Sequence, residues 1–147
     1  MKKIGKKQTA RQITLMLVKN TDCRLRPSKI SGIGVFAVRT IPAGTKLFPG
    51  VKRQAWYRFS AEEFASCDLA IKTMIDDFLV VEKDGTVLVP RFGFDGMDLS
   101  FFLNHSKKPN VKTIDVGFNF VTLRKIKRGE ELTVDYGTYD YKYLSRK

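Results

Sequence analysis

Three short stretches carry residues whose types and spacing could do chemistry. Ser100 to Asn110, S-F-F-L-N-H-S-K-K-P-N, sets Asn104 and His105 directly after the apolar Phe101-Phe102-Leu103. Gly129 to Gly137, G-E-E-L-T-V-D-Y-G, ends a strand-like run on Asp135 and Tyr136. Gly32-Ile33-Gly34 precedes the run Val35-Phe36-Ala37-Val38. Polar groups set against apolar runs need partners when buried, because an unpaired one costs about 1–3 kcal/mol. At element ends they are candidate site residues. Alternate glycines let the backbone bend tightly and let a ligand approach, since no Cβ intervenes. A tyrosine hydroxyl both donates and accepts, so it can orient a bound group. Binding and orientation are the tasks these residues suit. Cys23 and Cys67 have no metal-ligand spacing, and no metal is expected.

Together the three stretches resemble the signatures of the SET-domain protein lysine methyltransferases. Asn104, His105, Ser106, Pro109 and Asn110 fit the family's R-F-x-N-H-S-x-x-P-N pattern, with Phe102 as its aromatic. Gly129, Glu130, Glu131, Leu132, Asp135, Tyr136 and Gly137 fit G-E-E-L-x-x-D-Y-G, and Gly32 and Gly34 fit G-x-G. The resemblance frames roughly residues 24 to 140. It implies a SET fold: small sheets around a knotted site, in a mainly β domain with one main helix. It implies S-adenosylmethionine as methyl donor, with Gly32, Ile33 and Gly34 contacting it through backbone. Asn104 and His105 would hold its amino-acid and adenine parts, and Tyr136 would stand at the methyl-transfer pore as catalytic residue. Val134, two residues before Tyr136, is a position that influences how many methyl groups are added in the family, and its apolar side chain favours multiple methylation. Phe101 stands where the family usually has arginine and Lys107 where it often has cysteine. The cysteine-rich zinc-binding segment after the tyrosine is missing, as is the family's tyrosine near Leu47-Phe48-Pro49-Gly50. Closing the channel would then fall to Tyr139, Tyr141 or Tyr143, or to a second subunit, which makes a homodimer an expectation.

Methyl transfer to an amine is an in-line displacement and is chiefly a matter of positioning. The amine must be neutral, and an apolar, desolvated channel favours that form. Aromatic faces can wrap the alkyl stem and the methylammonium product. Phe102, Phe118 and Phe120 read as core. Trp56 fits either core or surface. Asp135 reads as a residue that holds local structure.

The elements that must position these residues are short. A chain of 147 residues with 43% apolar residues supports a single domain with a real core. The expected divisions are a basic flexible arm (1–12), a SET domain (13–140) with an acidic insert at about 51–98, and an aromatic and basic tail (141–147). Ile13 to Val18 reads as a strand and Cys23 to Pro27 as another extended piece. Thr45 to Phe48, Phe118 to Leu123 and Glu131 to Val134 read as strands. Ser60 with Glu63 forms a capping-box pattern that opens one helix over 60–79. Val80-Val81 and Val87 to Val89 flank Asp84-Gly85 as a hairpin.

Net charge is +12, which favours anionic partners, nucleic acid included, without naming one. Residues 61 to 98 hold nine acidic and three basic side chains, a local charge of −6, so the remainder carries +18. A solvated acidic surface would account for this. So would an acidic wall, with Asp76 and Asp77, beside a groove for a basic peptide. Lys7-Gln8-Thr9-Ala10-Arg11 is identical to five residues around a methylatable lysine in a core-histone tail. A basic protein substrate, histone or histone-like, is therefore expected, with Lys7 a candidate pseudosubstrate or self-methylation site. A non-catalytic SET-fold binding module and a nucleic-acid binder are the competing readings. The longest mainly apolar run, the six residues Ile13 to Val18, is too short to span a membrane. A soluble intracellular protein is expected: nuclear, or in a host nucleus, if the substrate is a histone, otherwise cytoplasmic.

Overall fold

The structure, a computed structural model, describes residues 5–49, 55–115 and 117–144. Parts of the expected arm (1–4), insert (51–54) and tail (145–147) lie outside the described residues. In chain order, α1 (Ala10–Lys19) leads to β1 (Cys23–Pro27), β2 (Ile33–Ala37), β3 (Lys46–Leu47) and β4 (Trp56–Phe59). Next come α2 (Leu69–Phe78), β5 (Val80–Val81) and β6 (Val87–Pro90). β7 (Asn104–His105), β8 (Val111–Thr113), β9 (Phe120–Thr122), β10 (Glu131–Val134) and α3 (Tyr141–Leu144) follow. Four short 3₁₀ turns, at Ala61–Phe64, Gly93–Gly96, Leu99–Phe102 and Tyr136–Thr138, complete the described elements.

The strands form three small sheets, ordered β1-β2-β10-β7, β3-β9-β8 and β4-β6-β5. β10 lies between β2, to which it is antiparallel, and β7, to which it is parallel. The residue patterns predict a mainly β domain, and the small sheets are what the resemblance implies; α1 stands beside α2 where one main helix is expected. Val35, Ile41, Ile126, Leu132 and Val134 are fully buried and join Leu103 and Phe120 in one core. β-Branched residues on short pleated strands suit such half-buried surfaces.

Asn110 fixes β10 in place. Its amide Nδ2 donates to Glu131 O at 2.8 Å, and its Oδ1 accepts from Thr133 N at 2.8 Å. The side chain is buried and acts as a missing strand neighbour, pairing backbone groups that would otherwise be orphaned.

Two predicted elements need correction. Ile13 to Val18 is not a strand but the body of α1. Thr9 caps that helix: its Oγ1 accepts from Gln12 N at 3.1 Å, and Gln12 Oε1 accepts from Thr9 N at 2.8 Å. With Arg11, Gln12, Leu15, Met16, Leu17 and Lys19 as good helix formers, the cap outweighs the local apolar run. The last part of the expected arm, residues 10–12, is thus helical. The single helix over 60–79 is two elements, a 3₁₀ turn at Ala61–Phe64 and α2. Asp68, with extended φ/ψ of −57° and 150°, starts α2 afresh. Glu63 does accept from Ser60 N, at 2.9 Å, as the pattern predicts. Leu69, the first residue of α2, is 79% exposed although apolar. The Val80–Val81 and Val87–Pro90 hairpin forms as read, with Gly85 at φ +84° in its turn. Its third strand, β4, went unrecognised.

Cys23 and Cys67 are both free thiols. Burial, then the neighbouring Asp22 carboxylate, pushes the Cys23 thiol up to about 12. A thiolate is the reactive form, so Cys23 should be inert and half-buried Cys67 should carry the reactivity. Ellman titration of native protein should find one thiol, rising to two on unfolding, and Cys67→Ser should remove the native signal. No helix among the described residues is long and apolar enough to cross a membrane.

Candidate active site

The parallel pairing of β10 with β7 brings two of the three motifs together, matching Thr133 with Asn104 and Val134 with His105. The third motif joins through side chains. Asn104 Nδ2 donates to Ser31 O at 3.0 Å and to Glu131 Oε1 at 2.8 Å. Glu131 also accepts from Ser28 Oγ at 2.8 and 2.9 Å. A carboxylate and an amide thus tie the glycine loop to the centre of the sheet, and charge-assisted bonds of this kind are among the stronger ones.

The two glycines serve different ends. Gly32 has φ +46°, a left-handed conformation that disfavours side chains, and a Cβ there would meet nothing within 4 Å. Its backbone is open to a ligand. Gly34 is a matter of packing: a Cβ there would stand 2.1 Å from Glu131 Oε1 and 3.1 Å from Asn104 Nδ2. Gly34 lines no cavity at this site and is therefore placed as a support, not as the contact residue the motif implies.

Two cavities meet at Tyr136. The first is a cleft of about 570 Å³ whose walls include Gly32, Ile33, Asn104, His105, Asp76 and Tyr143. That volume falls within the range of ligand pockets, about 300–1,000 Å³. The second is a narrow channel of about 60 Å³, walled by Trp56, Phe101, Phe118, Phe120, Tyr136 and Tyr139. Tyr136 lines both, as do Asp77, Phe78, Phe101 and Tyr143.

Tyr136 is held at both ends. Its backbone N–H donates to His105 Nδ1 at 3.1 Å, and its hydroxyl donates to Leu103 O at 2.5 Å. The first bond requires an unprotonated Nδ1 on His105, which leaves Nε2–H as that ring's donor. Asp135 Oδ1 sits 3.8 Å from His105 Nδ1 and accepts from Gly137 N at 2.9 Å. Asp135 therefore shapes the turn that presents Tyr136, in line with its expected structural role. Burial, followed by the nearby Tyr143, Asp140 and Glu131, pushes the Tyr136 phenol up to about 12. Burial and then Tyr136 also hold the Tyr139 phenol well above the usual range.

Of the other expected site residues, Tyr139 lines the channel, Asp76 the cleft and Asp77 both. Val134 does not belong with them. It is fully buried in the core and borders neither cavity: β10 ends at Val134, and Tyr136 is carried by the 3₁₀ turn that follows. Phe120 is core, as read, but Phe118 and Phe102 are half-buried and line the channel and the cleft respectively. Trp56 stacks on Phe101, ring centroids 5.7 Å apart and planes 13° apart, and meets Phe118 edge-on. Sequence reasoning missed this aromatic cage, whose members are far apart in the chain and share no spacing. The tail supplies the cover: Tyr143 lies 4.9 Å from the Tyr136 ring and stacks on His105 at 6.4 Å.

A cleft and a smaller aromatic channel thus share one anchored tyrosine on a mainly β scaffold. The SET domain model matches residues 32–137, so this chain belongs to the SET domain family. Comparison with curated proteins finds no match. Among solved structures, one similar fold is a candidate histone methyltransferase of Plasmodium falciparum, at TM-score 0.53 and 19% identity, covering 80% of this chain and 95% of that one. Another is the methyltransferase domain of human PR domain-containing protein 2, at TM-score 0.51 and 17% identity, covering 89% and 88%. At such identities the likeness speaks for the fold.

Proposed function

We propose that this chain is an S-adenosylmethionine-dependent protein lysine N-methyltransferase acting on a basic protein tail, histone or histone-like. The observation that carries this reading is the junction at Tyr136, where a ligand-sized cleft meets an aromatic-lined channel of only about 60 Å³. Family membership and two structural neighbours described as methyltransferases support it.

The residues present fit the donor. Gly32 offers open backbone, Asn104 and His105 border the cleft, and Tyr143 stacks beside His105. When bound, S-adenosylmethionine supplies an electrophilic methyl group on a sulfonium. The chain does the rest by positioning. Trp56, Phe101 and Phe118 exclude water from the lysine stem, and their faces tolerate a methylammonium product. Desolvation lowers the amine's pKa, so its proton is lost to solvent before attack. Tyr136, neutral and hydrogen-bonded to Leu103 O, marks the channel's inner end with a fixed dipole. Asp76 and Asp77 favour a basic segment at the mouth.

Transfer of labelled methyl from the donor to core histones tests the proposal directly, with a whole-cell protein extract as second acceptor. Labelled protein in either supports it. Donor bound but no protein labelled would make the chain a binding module.

The raised Tyr136 phenol predicts the pH profile. A raised folded-state value means the neutral phenol is favoured, and the stability it brings is lost only as pH climbs from the ordinary 10.0 towards about 12. The target amine, its pKa lowered by desolvation, deprotonates below that range. The transfer rate should therefore rise from about pH 7 to about pH 10 with no descending limb. A fall within that window in a stable protein would contradict the placement of Tyr136.

Lys7 lies exposed in the extended segment ahead of α1. We include it as a candidate self-methylation site or pseudosubstrate. Intact-mass analysis after incubation with donor should show added methyl mass at Lys7, or removal of residues 1–12 should raise the rate on histones. Neither result would end the idea.

A further inference from the structure

α2 has no basic residue of its own in its last turn. Its final carbonyls nevertheless meet a cation. Lys142, from α3, donates through Nζ to Asp76 O at 2.5 Å and to Leu79 O at 2.8 Å. A positive charge at this end complements the helix dipole. The Lys142 side chain is only 13% exposed, and its ammonium lies 3.6 Å from Asp140 Oδ2, whose side chain is 8% exposed. Asp140 Oδ1 accepts from Val81 N at 3.3 Å and from Lys142 N at 3.2 Å. Residues 140–142 thus grip residues 76–81 through a buried ion pair with three cross-element hydrogen bonds. Burying such a pair carries a desolvation cost that only good geometry and further hydrogen bonds offset. Apolar contacts would fasten a chain end more cheaply.

What the grip holds explains its place. Just before Leu79 come Asp76, Asp77 and Phe78, which form one wall of the cleft. Directly after Lys142 comes Tyr143, which covers His105 and Tyr136. Asp77, Phe78 and Tyr143 border both cavities. The spacing of these walls around Tyr136 is therefore set by contacts between the segments that carry them, with Asp140 itself bordering the channel and Asp76 the cleft.

We propose that Lys142 is a positioning residue for methyl transfer. With Asp140 it clasps the end of α2 to α3 and so holds the junction of donor cleft and lysine channel at its working width. The proposal rests on the methyltransferase reading above for its catalytic consequence, though not for the clasp itself. Because one clasp serves both cavities, donor and peptide affinity should fall together when it is released.

The test compares Lys142→Met, which keeps the stem and drops the charge and donors, with Lys142→Arg. Trp56, the only tryptophan, stacks on Phe101 at the junction, so its fluorescence should report donor binding. Lys142→Met should raise the donor Kd and the peptide KM about tenfold each while kcat stays within about threefold, the signature of lost uniform binding. Lys142→Arg should recover most of both. Arg39→Met, which breaks the exposed Arg39–Asp22 pair, should match wild type. Hydrogen exchange gives a readout independent of activity. The Val81 amide, held by Asp140, and the Tyr143 amide, bonded to Asp140 O, should exchange at least about tenfold faster in Lys142→Met, with Leu132 unchanged. Unchanged exchange at Val81 and Tyr143 would overturn the proposal. So would faster exchange with unaltered donor and peptide constants. If wild-type protein binds no donor, the methyltransferase reading is what fails, and exchange alone decides the clasp. Should Lys142→Met not fold, Asp140→Asn, which removes the ion pair but keeps an acceptor for Val81, takes its place; because Asp140 borders the channel, the donor Kd and exchange at Tyr143 then decide, and both unchanged would overturn the proposal.

Discussion

Tyr136→Phe should transfer methyl at about one-hundredth of the wild-type rate or less, with donor affinity within about threefold of wild type. The hydroxyl is the one polar group that Tyr136 brings to the meeting point of the two cavities, and its bond to Leu103 O fixes where it stands. The substitution preserves ring, volume and aromatic contacts with Tyr139 and Tyr143. It removes only the orienting dipole. It also orphans the carbonyl of buried Leu103, at a cost of about 1–3 kcal/mol, so a thermal melt must accompany the assay. A folded variant that retains full transfer would show that Tyr136 packs at the pore without acting there. A variant that loses donor binding to the same degree as rate would place it in the cleft instead.

The largest stability effect should come from Asn110→Ala, about 3 kcal/mol in urea unfolding. Asn110 pairs the Glu131 carbonyl and the Thr133 N–H at once, both at 2.8 Å and within buried structure. Alanine satisfies neither and leaves a cavity where water has little access. Asn110→Asp is the sharper probe. Its carboxylate can accept from Thr133 N–H but must face the Glu131 carbonyl with no proton to share. That variant should be at least as unstable as alanine near neutral pH and recover as acid protonates it, since the neutral acid can donate. The folded-state pKa of the new acid would be raised, so its destabilisation grows as pH rises from the ordinary carboxylate value to that raised value. Stability of Asn110→Asp that does not depend on pH would contradict the two-bond geometry. An Asn110→Ala loss below about 1 kcal/mol would do the same.

The motifs were legible because each joins a special residue type to an element end. Gly32 is needed where φ is positive, Asn104 and His105 open a strand, and Asp135 caps the turn that presents Tyr136. Those constraints are local, so the sequence carries them openly. Most strands were legible too, and β1 and β10 have the expected bounds, Cys23–Pro27 and Glu131–Val134. α1 was misread because a six-residue apolar run looks the same in a strand as on a helix. Only the Thr9–Gln12 cap separated the two.

The sequence by itself determined the mainly β class, the three motifs, the charge contrast between insert and remainder, and Tyr136 as the residue to watch. Tertiary structure decided everything that depends on pairs remote in the chain. Trp56 meets Phe101, Gly34 makes way for Glu131, and Lys142 caps a helix that ended 64 residues earlier. It also set Val134 in the core, bordering neither cavity, because β10 ends there and Tyr136 follows on a separate turn. The physical reason is common to all four. Residue type constrains what a position can do, but burial and distance are set by which elements pack together, and no spacing along the chain records that.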